Sequence, residues 1–299
     1  MNYGIRPLSR KYAPTAIVSA KTALGIPMPC PMRNRFDPRK IPGLQSWWDA
    51  ADSESVVLDS GRVSRLSDKS GNNRHLTNAT SGSTQPSYIS NGRNGLNVVR
   101  FDRASIQRLS VPSSTVAYKF LSDGTPCYWI AVYSYGPVAS NIQTFMANEA
   151  GFSNQQGFHY YNDTRFNNAL NFQVQNGTST PAVFSALDSG GIPAAAWQNL
   201  VVPNAMTVHE VLMDAGNATA ANRFALRING GATVAANVYL GTPSTSNGAN
   251  NLHIGTTPDP SFPLTGDVCE LLMFNQQPTS AARDLIRRYL GAKWGVTVG

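Results

Sequence analysis

The chain has 299 residues and a mass of 32.2 kDa, which is enough for one large domain or two small ones. Hydrophobic residues make up 41% of the sequence, so a packed core can form and disorder of the whole chain is excluded. Charged residues reach only 14%, against roughly 25% in ordinary soluble domains, while glycines number 25 and prolines 19. This composition favours a protein of strands and turns over one of salt-bridged helices.

The net charge of +7 is concentrated at the N-terminus. Residues 1–40 hold eight basic residues against one acidic residue, Asp37, whereas the other 259 residues hold 16 of each sign. A nucleic-acid-binding domain carries its basic patch on the folded part, so the neutral body argues against that class. The eight bases, which we expect to contact a partner, are Arg6, Arg10, Lys11, Lys21, Arg33, Arg35, Arg39 and Lys40.

Residues 1–42 contain seven prolines, and proline alternates with other residues over positions 26–32. Each proline fixes φ and removes a backbone donor, which predicts an extended arm with one short helix over Thr15–Leu24. An arm without a core of its own is expected to be held by a partner subunit in an assembly. Two alternatives stay open, in which the arm folds back across its own domain or meets nucleic acid.

No run approaches the roughly 18–20 apolar residues that cross a bilayer, and the N-terminus lacks the apolar centre of a signal peptide. We therefore expect no membrane partner. Cys30, Cys127 and Cys269 are odd in number and far apart, which predicts reduced, mostly buried thiols in a chain synthesised in a cytosol.

From Gly43 onward, short runs of alternating apolar and polar residues recur between turns rich in Gly, Asn, Ser and Pro. Asn229-Gly230, after one such run, is the residue pair of a tight hairpin. Evenly spaced strands without helix-length segments between them predict an all-β, antiparallel sandwich or barrel over 43–299 rather than a parallel α/β sheet. The predicted strands include Leu96–Phe101, Tyr128–Tyr135, Phe158–Tyr161, Leu170–Val174, Phe224–Ile228, Asn237–Leu240 and Val268–Phe274.

One amphipathic helix is predicted at 279–294. Thr279 or Ser280 can cap its start, and Gly295 can end it. An apolar stripe at helical spacing is expected to pack on the sandwich, with three arginines on the other faces. The stripe consists of Leu285, Ile286, Tyr289, Leu290 and Trp294, and the arginines are Arg283, Arg287 and Arg288.

Three segments of the body have a familiar pattern. An aromatic-Asp-Ala-Asp element (Trp48, Asp49, Ala51, Asp52) precedes a D-x-S-G-N turn at 68–72, a segment at 86–102 ends in R-F-D, and a final strand leads into the terminal helix. These features resemble the concanavalin A-like (laminin-G/pentraxin-like) jelly rolls found as modules in phage virion proteins and bacterial surface proteins. The resemblance covers about 41–299, although Arg103 stands where that family usually has glycine. The resemblance implies an all-β, antiparallel jelly-roll sandwich over 43–299, but it does not give the function, because such modules bind sugars, bind proteins or only fill space.

Catalytic motifs are sparse. A retaining glycosidase of this fold needs two carboxylates on one strand face, and only Asp52 and Glu54 have that spacing, in a Ser-rich loop. No enzymatic activity is therefore expected. The four histidines, which lack the spacing of a zinc site, are His75, His159, His209 and His253.

Two further kinds of site have candidates. The resembled family often holds calcium, so the oxygen-rich turns with Asp68, Asn72 and Asp163 are calcium candidates, although Asx-turns explain the same residues. No other cofactor is expected. A sugar site needs aromatic rings beside amide acceptors, while the five tryptophans are expected in the core. The sugar-site candidates are His159, Tyr160, Tyr161 and Asn162.

We therefore expect a structural protein of a phage particle, made in the host cytoplasm and located in the virion. The arm 1–42 would anchor it to capsid or tail subunits, beside further copies of itself, and the body 43–299 would be displayed outward. A carbohydrate-binding receptor module, with a host surface glycan as partner, is the alternative. A polysaccharide hydrolase is the third reading.

Overall fold

The computed structural model describes residues 36–139, 141–150, 155–178, 184–185, 192–235 and 241–299. Of the predicted arm, the described residues include only the last seven. Arg39 and Lys40 are exposed there in a 3₁₀ turn, Pro38–Lys40. This turn begins the compact unit Pro38–Gly299. The other predicted arm contacts and one predicted strand lie outside the described residues, namely Arg6, Arg10, Lys11, Lys21, Arg33, Arg35 and Asn237–Leu240.

The described part contains seventeen strands, six further 3₁₀ turns and one α-helix, α1 (Ser280–Trp294). The strands are β1 Leu44–Asp49, β2 Val56–Asp59, β3 Arg62–Leu66, β4 Leu76–Thr77, β5 Ser87–Arg93, β6 Leu96–Phe101, β7 Leu109–Ser110, β8 Cys127–Tyr133, β9 Ile142–Ala147, β10 Gly157–Asp163, β11 Ala169–Gln175, β12 Phe184–Ser185, β13 Thr207–Met213, β14 Phe224–Ile228, β15 Val234–Ala235, β16 His253–Ile254 and β17 Gly266–Phe274. The 3₁₀ turns are Ser53–Ser55, Arg103–Ser105, Lys119–Leu121, Thr164–Phe166, Ala195–Trp197 and Ala220–Asn222.

The strands form two antiparallel layers. The first layer runs β5–β6–β17–β8–β13–β14–β15, and β1 pairs with the second half of β17 beside β6. The second layer runs β2–β3–β4–β7–β16–β9–β10–β11–β12. Among the described residues, one strand pair, Arg62 with Ser87, connects β3 of the second layer to β5, the edge strand of the first layer. The predicted all-β sandwich is confirmed.

Aromatic side chains fill the space between the layers. The Trp129 ring of β8 lies 4.9 Å from the Tyr160 ring of β10, and Phe172 of β11 stacks on Phe224 of β14 at 3.4 Å between ring centroids. All five tryptophans are buried, as predicted. Burial of each such side chain stabilises the fold by about 1.5–3 kcal/mol, so these rings hold the layers together.

Helix α1 packs on the outer face of the first layer, against β8 and β13. The Thr279 hydroxyl caps it by accepting a hydrogen bond from the Ala282 N–H at 3.3 Å, and Gly295 ends it with φ +65°, as predicted. Three residues of the predicted stripe, Ile286, Leu290 and Trp294, are buried as expected. Leu285 is 53% exposed, however, and Arg287, predicted on another face, is buried. At about 100° per residue Leu285 lies roughly 140° around the helix from the buried Leu290.

Two cysteines are described, and both Cys127 and Cys269 are buried free thiols whose pKa burial raises. None of the helices in the described ranges is both long and apolar enough to span a membrane.

Candidate functional site: the polar face of the second layer

Strands β9, β10 and β11 are buried along their whole length, on both faces. Because successive side chains of a strand point to opposite faces, the core residues Phe158, Tyr160 and Phe172 define the inner face, and their neighbours in sequence lie on the outer face. The outer face is polar. We use the name polar face for Thr144, Glu149, His159, Tyr161, Asn171, Gln173 and Gln175.

A row of hydrogen-bonding groups crosses the polar face. The Thr144 hydroxyl lies 2.9 Å from His159 Nε2, and His159 Nδ1 lies 3.2 Å from Glu149 Oε1. Gln173 Nε2 donates to the same Glu149 oxygen at 3.1 Å. Gly157 makes room for this carboxylate, since a Cβ at that position would lie 2.8 Å from the Glu149 Cβ. The row therefore couples a hydroxyl, an imidazole, a carboxylate and an amide across three strands.

Two amide oxygens on the polar face have no hydrogen-bond partner. They are Asn171 Oδ1 and Gln175 Oε1, on side chains that are almost completely buried. A buried acceptor left unpaired costs about 1–3 kcal/mol, so such atoms in a native fold call for an explanation. A ligand that brings hydrogen-bond donors to this face would recover that free energy.

The four sugar-site candidates occupy β10, and the structure divides them between the two faces. His159 and Tyr161 belong to the polar face, with ring centroids 4.5 Å apart. Tyr160 lies in the core with its hydroxyl 2.9 Å from His209 Nδ1, and Asn162 donates to the Ala169 carbonyl at 3.4 Å. All four side chains are buried, so the exposed aromatic rings behind that prediction are not present.

Sequence reasoning missed the amide half of the polar face. Asn171, Gln173 and Gln175 alternate with apolar residues in the segment LNFQVQ, and that alternation already placed the three amides on one side of a strand. Alternation could not identify Glu149, because this residue follows β9 and lies outside any strand. Its place on the polar face depends on the tertiary structure.

The calcium candidates act as turn residues in the structure. The Asp68 carboxylate accepts hydrogen bonds from the backbone N–H groups of Trp47, Ser70 and Arg74 at 2.9–3.0 Å. Asn72 donates its amide to the Leu44 carbonyl at 3.1 Å. Asp163 forms a two-point ion pair with Arg165 and caps the turn Thr164–Phe166.

Within the described ranges, no three His, Cys, Asp or Glu side chains are grouped so that they could hold a metal ion. The oxygens of Asp68 are occupied by the protein's own donors, which is the arrangement of an Asx-turn. Calcium binding at these turns stays a prediction.

The carboxylate of Asp52 makes local contacts within its own part of the fold. Asp52 lies 2.6 Å from Lys69 Nζ, and this contact lowers the pKa of the Asp52 carboxyl. Asp52 also caps the turn Ser53–Ser55 by accepting from the Glu54 N–H at 3.2 Å. The residue pair is therefore engaged in closing a loop.

No protein-family model and no curated protein matches the chain. Similar solved structures include the NanB sialidase of Streptococcus pneumoniae, with 11% identity and a TM-score of 0.42 over 62% of this chain and 26% of that one. A GH54 α-L-arabinofuranosidase matches with 14% identity and a TM-score of 0.48 over 78% and 51%. The CBM40 of the Ruminococcus gnavus IT-sialidase, bound to α2,3-sialyllactose, matches with 14% identity and a TM-score of 0.38 over 56% and 84%.

What these proteins share with the chain is a β-sheet fold, and the chain spans about a quarter of the length of the pneumococcal sialidase. They overturn the prediction that the chain is not an enzyme, because two of them are named as glycan-cleaving enzymes. At 11–14% identity the likeness concerns the fold, which hosts many unrelated functions.

Proposed function

We propose that the body is a carbohydrate-binding module and that the polar face is its binding surface. The observation that carries the proposal is the pair of unpartnered acceptors, Asn171 Oδ1 and Gln175 Oε1, on a face built from amides, a carboxylate and an imidazole. Sugars present rows of hydroxyl groups, which donate to amide and carboxylate oxygens. Tyr161 adds an aromatic surface beside them.

The contrast between the two outer faces supports this reading. The outer face of the first layer is lined by apolar side chains such as Ile130, Val132 and Leu272, and α1 docks there. The polar face is buried as well, but its side chains are hydrogen-bonding groups, and each buried polar group needs a partner. Hydrogen-bonding groups at these positions are suited to a hydroxyl-rich ligand.

The side chains of the polar face are shielded from solvent, so a ligand reaches them only after this face opens. Hydrogen exchange of the full chain would show that opening. We expect the β10 and β11 amides to exchange more slowly when a bound oligosaccharide is present.

Titration of the full chain with neutral oligosaccharides tests the proposal. Asn171→Ala and Gln175→Ala each remove one acceptor, and we expect each to weaken binding by roughly three- to tenfold, the value of one hydrogen bond. Gln85→Ala is the matched control, since Gln85 is also a buried glutamine with an unpartnered Oε1 but lies between β4 and β5. No binding at millimolar sugar contradicts the proposal, and the same incubations report any cleavage of the glycan.

We further propose that this module is a concanavalin A-like domain of a phage particle, anchored by the arm 1–42. The support is the segregation of charge, with eight bases and one acid in residues 1–40 and a neutral remainder. Such a segment suits an acidic surface on capsid or tail subunits.

Deletion of residues 1–40 tests the anchoring role. We expect the shortened chain to be lost from assembled particles while its circular dichroism stays that of a β-protein. A chain of full length with its eight bases changed to glutamine separates charge from length. Normal incorporation of the deletion variant contradicts the proposal.

A further inference from the structure

We infer that the polar face selects uncharged, hydroxyl-rich glycans and discriminates against sialylated and other acidic ones. This inference rests on the proposed function, and it names the class of ligand. Three features of the described residues carry it: the absence of basic side chains from the three strands, the kind of atom left unpartnered, and the fixed carboxylate in the row.

The strands β9, β10 and β11 contain no lysine or arginine over Ile142–Ala147, Gly157–Asp163 and Ala169–Gln175. Arg165, just beyond β10, is already engaged, since its Nε and Nη2 donate to the two oxygens of Asp163 at 2.9 and 2.6 Å. Recognition of a sugar carboxylate is strongest when a guanidinium is available to bind both oxygens at once. The three strands β9, β10 and β11 supply no guanidinium for this purpose.

The unpartnered atoms point to the same class. Asn171 Oδ1 and Gln175 Oε1 are acceptors, so the ligand must bring donors. A hydroxyl group or an N-acetyl amide donates a hydrogen bond, whereas a carboxylate only accepts. An acidic group placed against these two oxygens would leave three acceptors facing one another.

The charges of the row add a penalty for anions. Glu149 is buried on the same face, where its Oε1 lies 3.2 Å from His159 Nδ1 and accepts a hydrogen bond from Gln173 Nε2 at 3.1 Å. A second carboxylate brought by a ligand would meet a like charge in a site of low dielectric constant, where repulsion is weakly screened.

Paired glycans test the inference on the full chain: a lactose-terminated oligosaccharide and the same oligosaccharide capped with sialic acid. We expect the neutral member to bind on the order of tenfold more tightly or better. Equal or tighter binding of the sialylated member overturns the inference and leaves the proposed function standing. Binding of neither member overturns the proposed function and the inference with it.

A gained cation gives the second readout. Gln175→Arg places a guanidinium on the polar face, and we expect the neutral-to-sialylated affinity ratio to fall by about tenfold. Asn222→Arg adds the same charge at an exposed position in the turn Ala220–Asn222, next to the first layer, and should leave the ratio unchanged. An equal effect of both variants would show that overall charge sets the preference, which overturns the inference.

Discussion

At the residue scale, a buried carboxylate joins distant parts of the body. Glu270 of β17 accepts hydrogen bonds from the indole N–H groups of Trp47 and Trp294 at 2.7 and 2.8 Å, and from Lys293 Nζ at 2.7 Å. The same ammonium group donates to Asp49 at 2.6 Å. We call Asp49, Glu270 and Lys293 the latch, because they join the first strand of the body to its last strand and helix.

The latch explains why the aromatic-Asp-Ala-Asp element begins the domain. Two carboxylates, Glu270 and Asp49, lie close together in the latch. Burial raises the pKa of the Glu270 carboxyl, and the nearby Asp49 charge raises it further. Lys293 makes that arrangement tolerable by lying between them.

Lys293→Met removes the shared cation while keeping most of the side-chain volume. We expect the free energy of unfolding to fall by about 3–5 kcal/mol, because the buried Glu270 carboxylate then loses its ammonium partner, while Asp49 keeps its ion pair with Lys69. Arg288→Met on the exposed side of α1 is the matched control and should cost less than about 0.5 kcal/mol. Urea unfolding at neutral pH measures both, and equal losses would show that the latch has no special role.

At the element scale, α1 shows which features of a helix the sequence pattern can predict. Its bounds, its Thr279 cap and its Gly295 end were all predictable, because capping depends on residues within one turn of the helix end. Its orientation was predicted only in part, because Ile286, Leu290 and Trp294 are buried as expected whereas Leu285 is exposed. The buried Arg287 donates to Glu210 of β13 at 2.7 Å, and that partner is 77 residues away in the chain.

Leu290→Ala and Leu285→Ala form a matched pair on the same helix. Leu290 is fully buried, so its truncation should cost about 2–5 kcal/mol, whereas truncation of the half-exposed Leu285 should cost less than about 0.5 kcal/mol. Chemical unfolding monitored by tryptophan fluorescence tests the pair. Reversed magnitudes would place the other side of α1 against the sheet.

At the scale of the whole molecule, one histidine lies between the two layers. His209 Nδ1 lies 3.0 and 2.9 Å from the Tyr133 and Tyr160 hydroxyls, and its Nε2 lies 2.8 Å from Thr207 Oγ1. Burial lowers the pKa of His209 to about 3 from an ordinary 6.5. The imidazole is thus a neutral member of a core hydrogen-bond network that joins β8, β10 and β13.

This burial makes the sandwich sensitive to acid. In the unfolded chain His209 becomes protonated below about pH 6.5, whereas in the folded chain it becomes protonated only near pH 3. Stability should therefore fall as the pH drops through that window, by up to about 1.4 kcal/mol per pH unit from this group. His253, with its pKa lowered to about 4 by burial, adds to the fall.

Unfolding free energies measured between pH 7 and pH 4 test this. His209→Gln should flatten the dependence on pH, even though the variant is less stable at pH 7. His75→Gln, at a half-exposed position, is the comparison and should change the slope less. An unchanged slope in His209→Gln would contradict the assignment.

The sequence alone determined the class of fold, most strand positions, the terminal helix and the burial of the tryptophans. These depend on alternation, helical spacing, caps and turn pairs such as Asn229-Gly230, whose φ values of +52° and +73° lie in the left-handed region as expected. All of them act over a few residues, so a local pattern carries them.

Only the tertiary structure decided the site and the latch. The fold brought His159 of β10 and Gln173 of β11 to Glu149, which follows β9, and it brought Asp49 to Lys293 across 244 residues. It also buried β10 on both faces, which a single strand's pattern does not reveal. The physical reason is that a residue's burial and partners depend on what is packed against its strand, and that covering comes from distant parts of the chain.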